Sequence, residues 1–125
     1  MANEITLSAL LSCANINQTL DTVGLDAVSF DQTGTNVNRL TQNVAVTEEA
    51  MTIGDTGVGG YCYIENLDRT NFVSVRPGTG TANLIKLKPA TSTKRGDCCL
   101  FRIETAPWVI ADTAACDILV VTLEA

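Results

Sequence analysis

Short apolar runs alternate with polar, glycine-containing breaks along most of the chain. The clearest case covers residues 61–75, in which two apolar runs flank the segment NLDRTN at 66–71. Asn, Asp and Thr favour turns, and two strand-like runs around such a segment predict a β-hairpin. The same rhythm predicts further strands at 84–87, 98–103, 108–111 and 117–123.

The N-terminal half is less regular. Ile5, Leu7 and Ala9 alternate with polar residues and predict a first strand, although residues 7–14 also fit one face of a short helix. The remaining pattern predicts a strand at 27–30, a long or bulged strand at 36–47, a helical turn or bend at 48–51 and a flexible glycine-rich loop at 54–60.

About eight short strands without a convincing helix predict an all-β fold. We expect an antiparallel β-sandwich with a jelly-roll-like arrangement. A chain of 125 residues suits a single domain over 1–125, in which 1–25 would form a variable N-terminal arm or a first strand. The apolar-rich strands predict a core that includes Ile64, Val73, Leu87, Phe101 and Leu119.

Charge and composition disfavour nucleic-acid binding, histidine-based catalysis, metal binding and disulfide bonds. The chain has 8 basic and 14 acidic residues and a net charge of −6, which disfavours phosphate and nucleic-acid binding. It has no His, the commonest general base and metal ligand. Its five Cys lack zinc-site spacing, so we expect reduced, mostly buried thiols without a disulfide. The chain has no run of 18 apolar residues, so no membrane span is predicted.

No motif in the chain predicts a reaction centre. The glycine-rich stretch at 57–60 precedes a strand, whereas a phosphate-binding loop follows a strand and begins a helix. Asp112 and Asp117 are too sparse for a calcium loop, and no serine stands in a nucleophile-elbow context. We therefore expect no catalytic residues, no cofactor, no metal site and no enzymatic activity.

Several segments resemble small virion structural proteins of tailed bacteriophages. The resemblance covers roughly residues 26–125 and departs from that pattern in the longer loop at 89–96 and at Cys98 and Cys99. The matching segments are GYCYIENLDRTNFV at 60–73, LIKLKP at 84–89, GDCCLFR at 96–102, the ADTAACD turn at 111–117 in what looks like a final hairpin, and DQTG at 31–34.

The resemblance implies a structural protein of the virion, made in the host bacterial cytoplasm. Its expected role is that of a capsid decoration protein that binds and stabilises the assembled shell, with a major capsid protein or another virion protein as partner. Such a protein would form homo-oligomers or symmetric copies and bind neither nucleic acid nor membrane. The alternatives are a tail, neck or fibre component, and a carbohydrate-binding β-sandwich that would use Trp108 with Tyr61 or Tyr63.

Two polar loops and one aromatic residue are the candidate partner contacts. The loops at 54–60 and 89–96 are long and polar, and they are expected to become ordered on contact. Trp108 is the single tryptophan of the chain. The candidate contact residues are Gly54, Asp55, Gly57, Gly59, Gly60, Thr91, Lys94, Arg95 and Trp108.

Overall fold

Val, Ile and Thr recur in runs separated by Gly, Asn and Asp, a composition that favours short strands joined by turns. The computed structural model describes residues 5–14, 19–30, 34–57 and 60–124. In them a short 3-10 helix covers Gly54–Thr56. The strands are β1 (Ile5–Ala14), β2 (Thr19–Phe30), β3 (Val37–Val44), β4 (Glu49–Ala50), β5 (Tyr61–Asn66), β6 (Val73–Arg76), β7 (Ile85–Leu87), β8 (Cys98–Arg102), β9 (Trp108–Ala111) and β10 (Cys116–Leu123).

The chain divides into two compact units, residues 1–34 and 35–125. In the first unit, β1 and β2 form a two-stranded antiparallel sheet. In the second, β3-β10-β5-β8 form sheet I and β4-β9-β6-β7 form sheet II. This arrangement confirms the predicted all-β antiparallel sandwich. The single domain predicted for residues 1–125, with a variable arm or first strand at 1–25, stays a prediction.

The strand pairing of the second unit has jelly-roll topology. The chain doubles back between β6 and β7, so that β6 pairs with β7, β5 with β8, β4 with β9 and β3 with β10. The resulting double ribbon is rolled, and successive strand pairs alternate between the two sheets. This is the arrangement that defines a jelly roll.

The turn at 66–71 joins two sheets and does not close a hairpin. β5 lies in sheet I and β6 in sheet II, so the hairpin prediction for 61–75 was wrong. Asp68 Oδ1 accepts the backbone N–H groups of Thr70 and Asn71, both at 2.6 Å. The buried Asn66 donates Nδ2 to the carbonyls of Asn71 and Leu87 at 2.9 and 3.1 Å. These bonds direct the chain across the sandwich.

The predicted final hairpin is also a connection between sheets, because β9 belongs to sheet II and β10 to sheet I. Turn residues indicate where a strand ends but do not specify which strand pairs with which. Residues 48–51, predicted as a helical turn or bend, contain the two-residue strand β4. At the N-terminus, β1 extends to Ala14, and the strand interpretation of this segment is confirmed.

The core lies between the inward faces of sheets I and II. Its buried members are Val44, Met51, Cys62, Ile64, Val73, Val75, Leu87, Ile103, Val109, Ala111, Cys116, Ile118 and Val120. The predictions for Ile64, Val73 and Leu87 are confirmed, whereas Phe101 is half-buried at the margin of this cluster.

Leu119 is half-buried and lies on the outer side of sheet I, so its prediction as a core residue was wrong. Residues 118–121 are all apolar, and the alternation therefore gave no indication of which two face inward. The structure buries Ile118 and Val120 completely, at 0% exposure each.

Ile118 faces the core and Leu119 faces outward, so truncating these two neighbours should lower the unfolding free energy by different amounts. Ile118→Ala should destabilise the protein by about 2–5 kcal/mol, because it removes buried methyl groups and leaves a cavity. Leu119→Ala, a matched loss of volume on the outer side, should cost clearly less. Denaturant unfolding of both variants measures this difference. Equal losses of unfolding free energy would contradict the register described here.

Candidate functional site

The outward side of sheet I is the candidate site. Antiparallel sheets with one solvated side usually present polar residues there. Here the register brings apolar and aromatic positions together across all four strands. We define the outer face of sheet I as three rows across β3, β10, β5 and β8: Val37, Leu123, Tyr61 and Arg102; Arg39, Val121, Tyr63 and Leu100; Thr41, Leu119, Glu65 and Cys98.

Large apolar side chains on this face reach solvent. Val37 is 62% exposed and Leu100 39% exposed, at opposite edges of the sheet. Leu67 directly follows β5 and is 41% exposed. Between the edges, Val121 and Tyr63 are half-buried. A contiguous apolar area of this kind is typical of a surface that binds another protein.

Arginines accompany the apolar positions. Arg39 and Arg102 belong to the outer face and are exposed. The Arg102 guanidinium lies 5.9 Å from the centre of the Tyr61 ring, within cation–π range. Arg and Tyr are enriched where interfaces concentrate their binding energy. This face of an acidic protein therefore suits a partner that offers apolar side chains beside carboxylates.

Glu65 is a buried carboxylate within the face. Its side chain is 5% exposed, and it accepts Arg95 Nε at 2.9 Å and Arg95 Nη2 at 2.5 Å. The Tyr63 hydroxyl donates to Glu65 at 2.7 Å. The Arg95 hydrogen bonds lower the pKa of Glu65, aided by the Tyr63 bond, although burial acts in the opposite direction. Burial and the bond to Glu65 raise the pKa of Tyr63.

The predicted contact loop at 89–96 is fastened to the sandwich. Ala90 N–H donates to the Asp68 carbonyl at 2.7 Å, and Thr91 N–H donates to the Lys94 carbonyl at 2.9 Å. A Cβ on Gly96 would lie 1.9 Å from the Asn66 carbonyl oxygen, so only glycine fits there.

Within this loop, Arg95 joins the outer face through Glu65, while Thr91 and Lys94 are exposed beside it. A basin of about 550 Å³ results, lined by Arg39, Leu40, Thr41, Glu65, Leu67, Arg95 and Leu119.

In the other predicted contact loop, the described residues 54–57 and Gly60 are also held by the fold. Asn36 Nδ2 donates to the Asp55 carbonyl at 3.2 Å. Gly54 and Gly57 have φ angles of +60° and +63°, which favour glycine. Gly60 is buried, and a Cβ there would lie 2.1 Å from the Leu123 carbonyl oxygen. Its role is therefore structural. Gly59 lies outside the described residues.

Trp108 is separated from the tyrosines of the outer face. It lies on β9 of sheet II, where its neighbours Val109 and Ala111 face the core. Its register partners are Ala50 and Arg76. Tyr61 and Tyr63 face outward from sheet I, on the other side of the sandwich. The aromatic set proposed for carbohydrate binding is therefore not assembled.

Sequence reasoning named Tyr61 and Tyr63 only as carbohydrate contacts and missed the outer face to which they belong, although a signal existed. The strands YCYI, CCLF and ILVV are apolar at both odd and even positions. Strands that are apolar at both parities are covered on both sides. The signal indicates that the outward side of sheet I is apolar across β10, β5 and β8.

Other kinds of site have less support in the structure. In the described part of the chain, no group of three or more His, Cys, Asp or Glu could hold a metal ion. Among those same residues, no helix has the length and hydrophobicity to cross a bilayer. A cleft near Phe101 and Leu84 has a volume of about 250 Å³, smaller than the basin of about 550 Å³ on the outer face.

Comparisons with known proteins found no relative, so a function can be argued only from this geometry. No protein-family model matches the chain. No curated protein and no solved structure is significantly similar to it.

The lowered pKa of Glu65 predicts acid sensitivity. A carboxyl whose pKa is lower in the folded state stabilises the fold above its unfolded pKa, and this contribution is lost as the pH falls through the folded pKa. We expect the melting temperature to fall below about pH 4.5, the ordinary value for Glu. Thermal melts of Glu65→Gln should decline less steeply with acid than those of Glu104→Gln, an exposed control. Parallel declines in the two variants would contradict the role of Glu65.

The reactivity of the thiols tests which cysteines the structure buries and which it exposes. Cys98 is exposed on the outer face, whereas burial raises the pKa of Cys62 to about 12 and of Cys99 and Cys116 to about 11. Native, unreduced protein should therefore alkylate at Cys98 first among these four free thiols. Denaturation without reductant should make the others reactive. Mass spectrometry that finds Cys116 modified as fast as Cys98 would contradict this arrangement.

Proposed function

We propose that this protein is a virion structural protein, most simply a capsid decoration protein that binds the assembled shell and stabilises it. The observation that carries the proposal is the apolar, arginine-containing outer face of sheet I. A jelly roll with such a face has the means to adhere to another protein surface. Viral capsid domains are among the proteins that use this topology, although topology alone does not assign a function.

The outer face supplies part of the area that a standard protein interface buries. Four strands about 4.8 Å apart and about 25 Å long present roughly 500 Å² of sheet area. A standard interface buries about 800 Å² per partner, so contacts from adjoining loops would be needed. Each contact can be weak, because symmetric copies on one particle act together. Binding to the shell but not to free subunits shifts the equilibrium toward the closed shell.

The partner should match the chemistry of the face. Apolar side chains of a major capsid protein would pack on Val121, Tyr63 and Leu100. Carboxylates would pair with Arg39 and Arg102. The ion pair between Glu65 and Arg95 would leave little uncompensated charge within the contact. A tail, neck or fibre role would use the same face, and it differs only in location and copy number.

Matched leucine variants test the proposal. Leu100→Asp places a charge on the outer face, whereas Leu84→Asp makes the same change at a leucine that is 71% exposed beside β7 of sheet II. Particles that lack the protein are incubated with each form, and occupancy and the temperature of genome release are measured. Leu100→Asp should lose occupancy and particle stabilisation, whereas Leu84→Asp should retain both.

Two outcomes would contradict the decoration proposal. Equal occupancy for both variants would exclude the outer face as the contact. Unchanged particle stability together with a handful of copies per particle would favour the tail or fibre role instead.

A further inference from the structure

Half of the basic side chains of this acidic chain line two adjoining hollows beside sheet I. One is the basin of about 550 Å³ on the outer face, and the other is a groove of about 360 Å³ along the loop at 89–96. The two hollows share Glu65, Leu67 and Arg95, and we call them together the basic channel. The chain has 8 basic residues in all. Those that line the basic channel are Arg39, Arg69, Lys94 and Arg95.

The positive charge of the basic channel is not balanced by its own carboxylates. Among the described residues that line it, Glu65 is the one acidic side chain, and it is paired with Arg95. Arg39, Arg69 and Lys94 are exposed, and within the described part of the chain none of them forms an ion pair. The basic channel therefore presents positive charge to solvent, although the whole chain has a net charge of −6.

The fold holds the backbone beneath these cations in place. Arg39 lies on β3, within the ladder of sheet I. Thr91 Oγ1 accepts the Lys94 N–H at 3.0 Å, which fixes the end of the loop that carries the two basic residues. Arg95 donates Nε and Nη2 to Glu65, yet its side chain is 79% exposed. A guanidinium has five N–H donors, so Arg95 can also donate to a second carboxylate.

The rest of the lining indicates which ligand chemistry fits. The basin includes the apolar side chains Leu40, Leu67 and Leu119. The described lining of both hollows contains no aromatic side chain, on which nucleobases usually stack. Arginine clusters recognise acidic peptide motifs, because the planar guanidinium matches the two oxygens of a carboxylate. A peptide with carboxylates on either side of an apolar residue therefore suits both the charged and the apolar parts of the lining.

We propose that the basic channel binds an extended acidic segment of the partner protein. Arg39 on β3 and Glu65, the partner of Arg95, on β5 lie on strands separated by β10, roughly 12 Å apart by strand spacing and rise. Alternate residues of an extended peptide share a side, and two carboxylates four residues apart on that side are about 13 Å apart. The residue midway between them would lie over Leu119 of β10.

This inference deepens the proposed function, and it rests on that function for the source of the segment, a capsid subunit. The test uses the isotope-labelled full chain and the peptide acetyl-ESLSE-amide, whose two glutamates and leucine share one side when extended. NMR titration should shift the amide signals of the basic channel to saturation. The matched peptide acetyl-QSLSQ-amide should bind about tenfold more weakly, because it lacks two ion pairs. Added salt should weaken the binding of acetyl-ESLSE-amide.

Matched substitutions locate the site. Arg39→Gln and Lys94→Gln each remove one charge, from the basin and from the groove, and each should weaken the binding of acetyl-ESLSE-amide about threefold. Lys86→Gln makes the same change at an exposed lysine on β7 of sheet II and should leave the affinity unchanged. The spectrum of each variant also reports whether the fold is retained, so misfolding cannot imitate a loss of binding.

Four results would overturn the inference. One is the absence of any saturable shift with acetyl-ESLSE-amide. Another is equal binding of the two peptides, because carboxylates would then not be recognised. The third is equal affinity in Lys94→Gln and Lys86→Gln, which would attribute binding to overall charge. The fourth is tighter binding of a sulfated heparin tetrasaccharide, which would assign the basic channel to a polyanionic sugar.

The proposed function can fail separately from this inference. It is tested on particles with Leu100→Asp, and Leu100 does not line the basic channel. A peptide that binds while particles do not would keep the basic channel as an acidic-peptide site and remove the capsid subunit as its source. Particles that bind while the peptide does not would keep the outer face as the contact and remove the acidic segment.

Discussion

The structure depends on the placement of its last strand. β10 lies in the interior of sheet I, paired with β3 on one side and β5 on the other. Its inward residues Ile118 and Val120 are fully buried in the core, and its outward residues Leu119 and Val121 belong to the outer face. β10, which has apolar residues on both of its sides, therefore completes the jelly roll, contributes to the core and supplies the centre of the candidate binding surface. Because its partners lie far away in sequence, this pairing carries a loop-closure cost that core burial must offset.

Polar groups then fix how the chain crosses between the sheets. The hydroxyl of Thr122 lies 2.8 Å from that of Thr56 and 3.0 Å from the Ile53 carbonyl, which anchors the 3-10 helix to β10. Buried Asn66 has partners for both its amide nitrogen and its oxygen. Glu48 accepts Arg76, Thr79 and the Gly80 N–H, and these bonds lower its pKa. Polar groups whose hydrogen bonds are satisfied in this way give the connections a defined path.

The sequence predicted the fold class because strand content and turn positions are local properties. Alternation and turn residues located most strands, and core positions such as Ile64 and Val73 followed from them. Pairing was not local, and so a turn at 66–71 that joins two sheets was taken for a hairpin. The outer face depends on the register among β3, β10, β5 and β8. No single strand could therefore predict the meeting of Tyr63, Val121 and Leu100, or the reach of Arg95 to Glu65.

The central claim is that the outer face of sheet I is the surface through which this protein attaches to a larger protein assembly. A cryo-EM reconstruction of a particle that carries the protein tests it most directly. The account predicts many symmetric copies, with Val121, Tyr63 and Leu100 buried against a capsid subunit and an acidic group beside Arg39 or Arg102. A map in which this face points to solvent, while sheet II or the loop at 54–57 makes the contact, would contradict it.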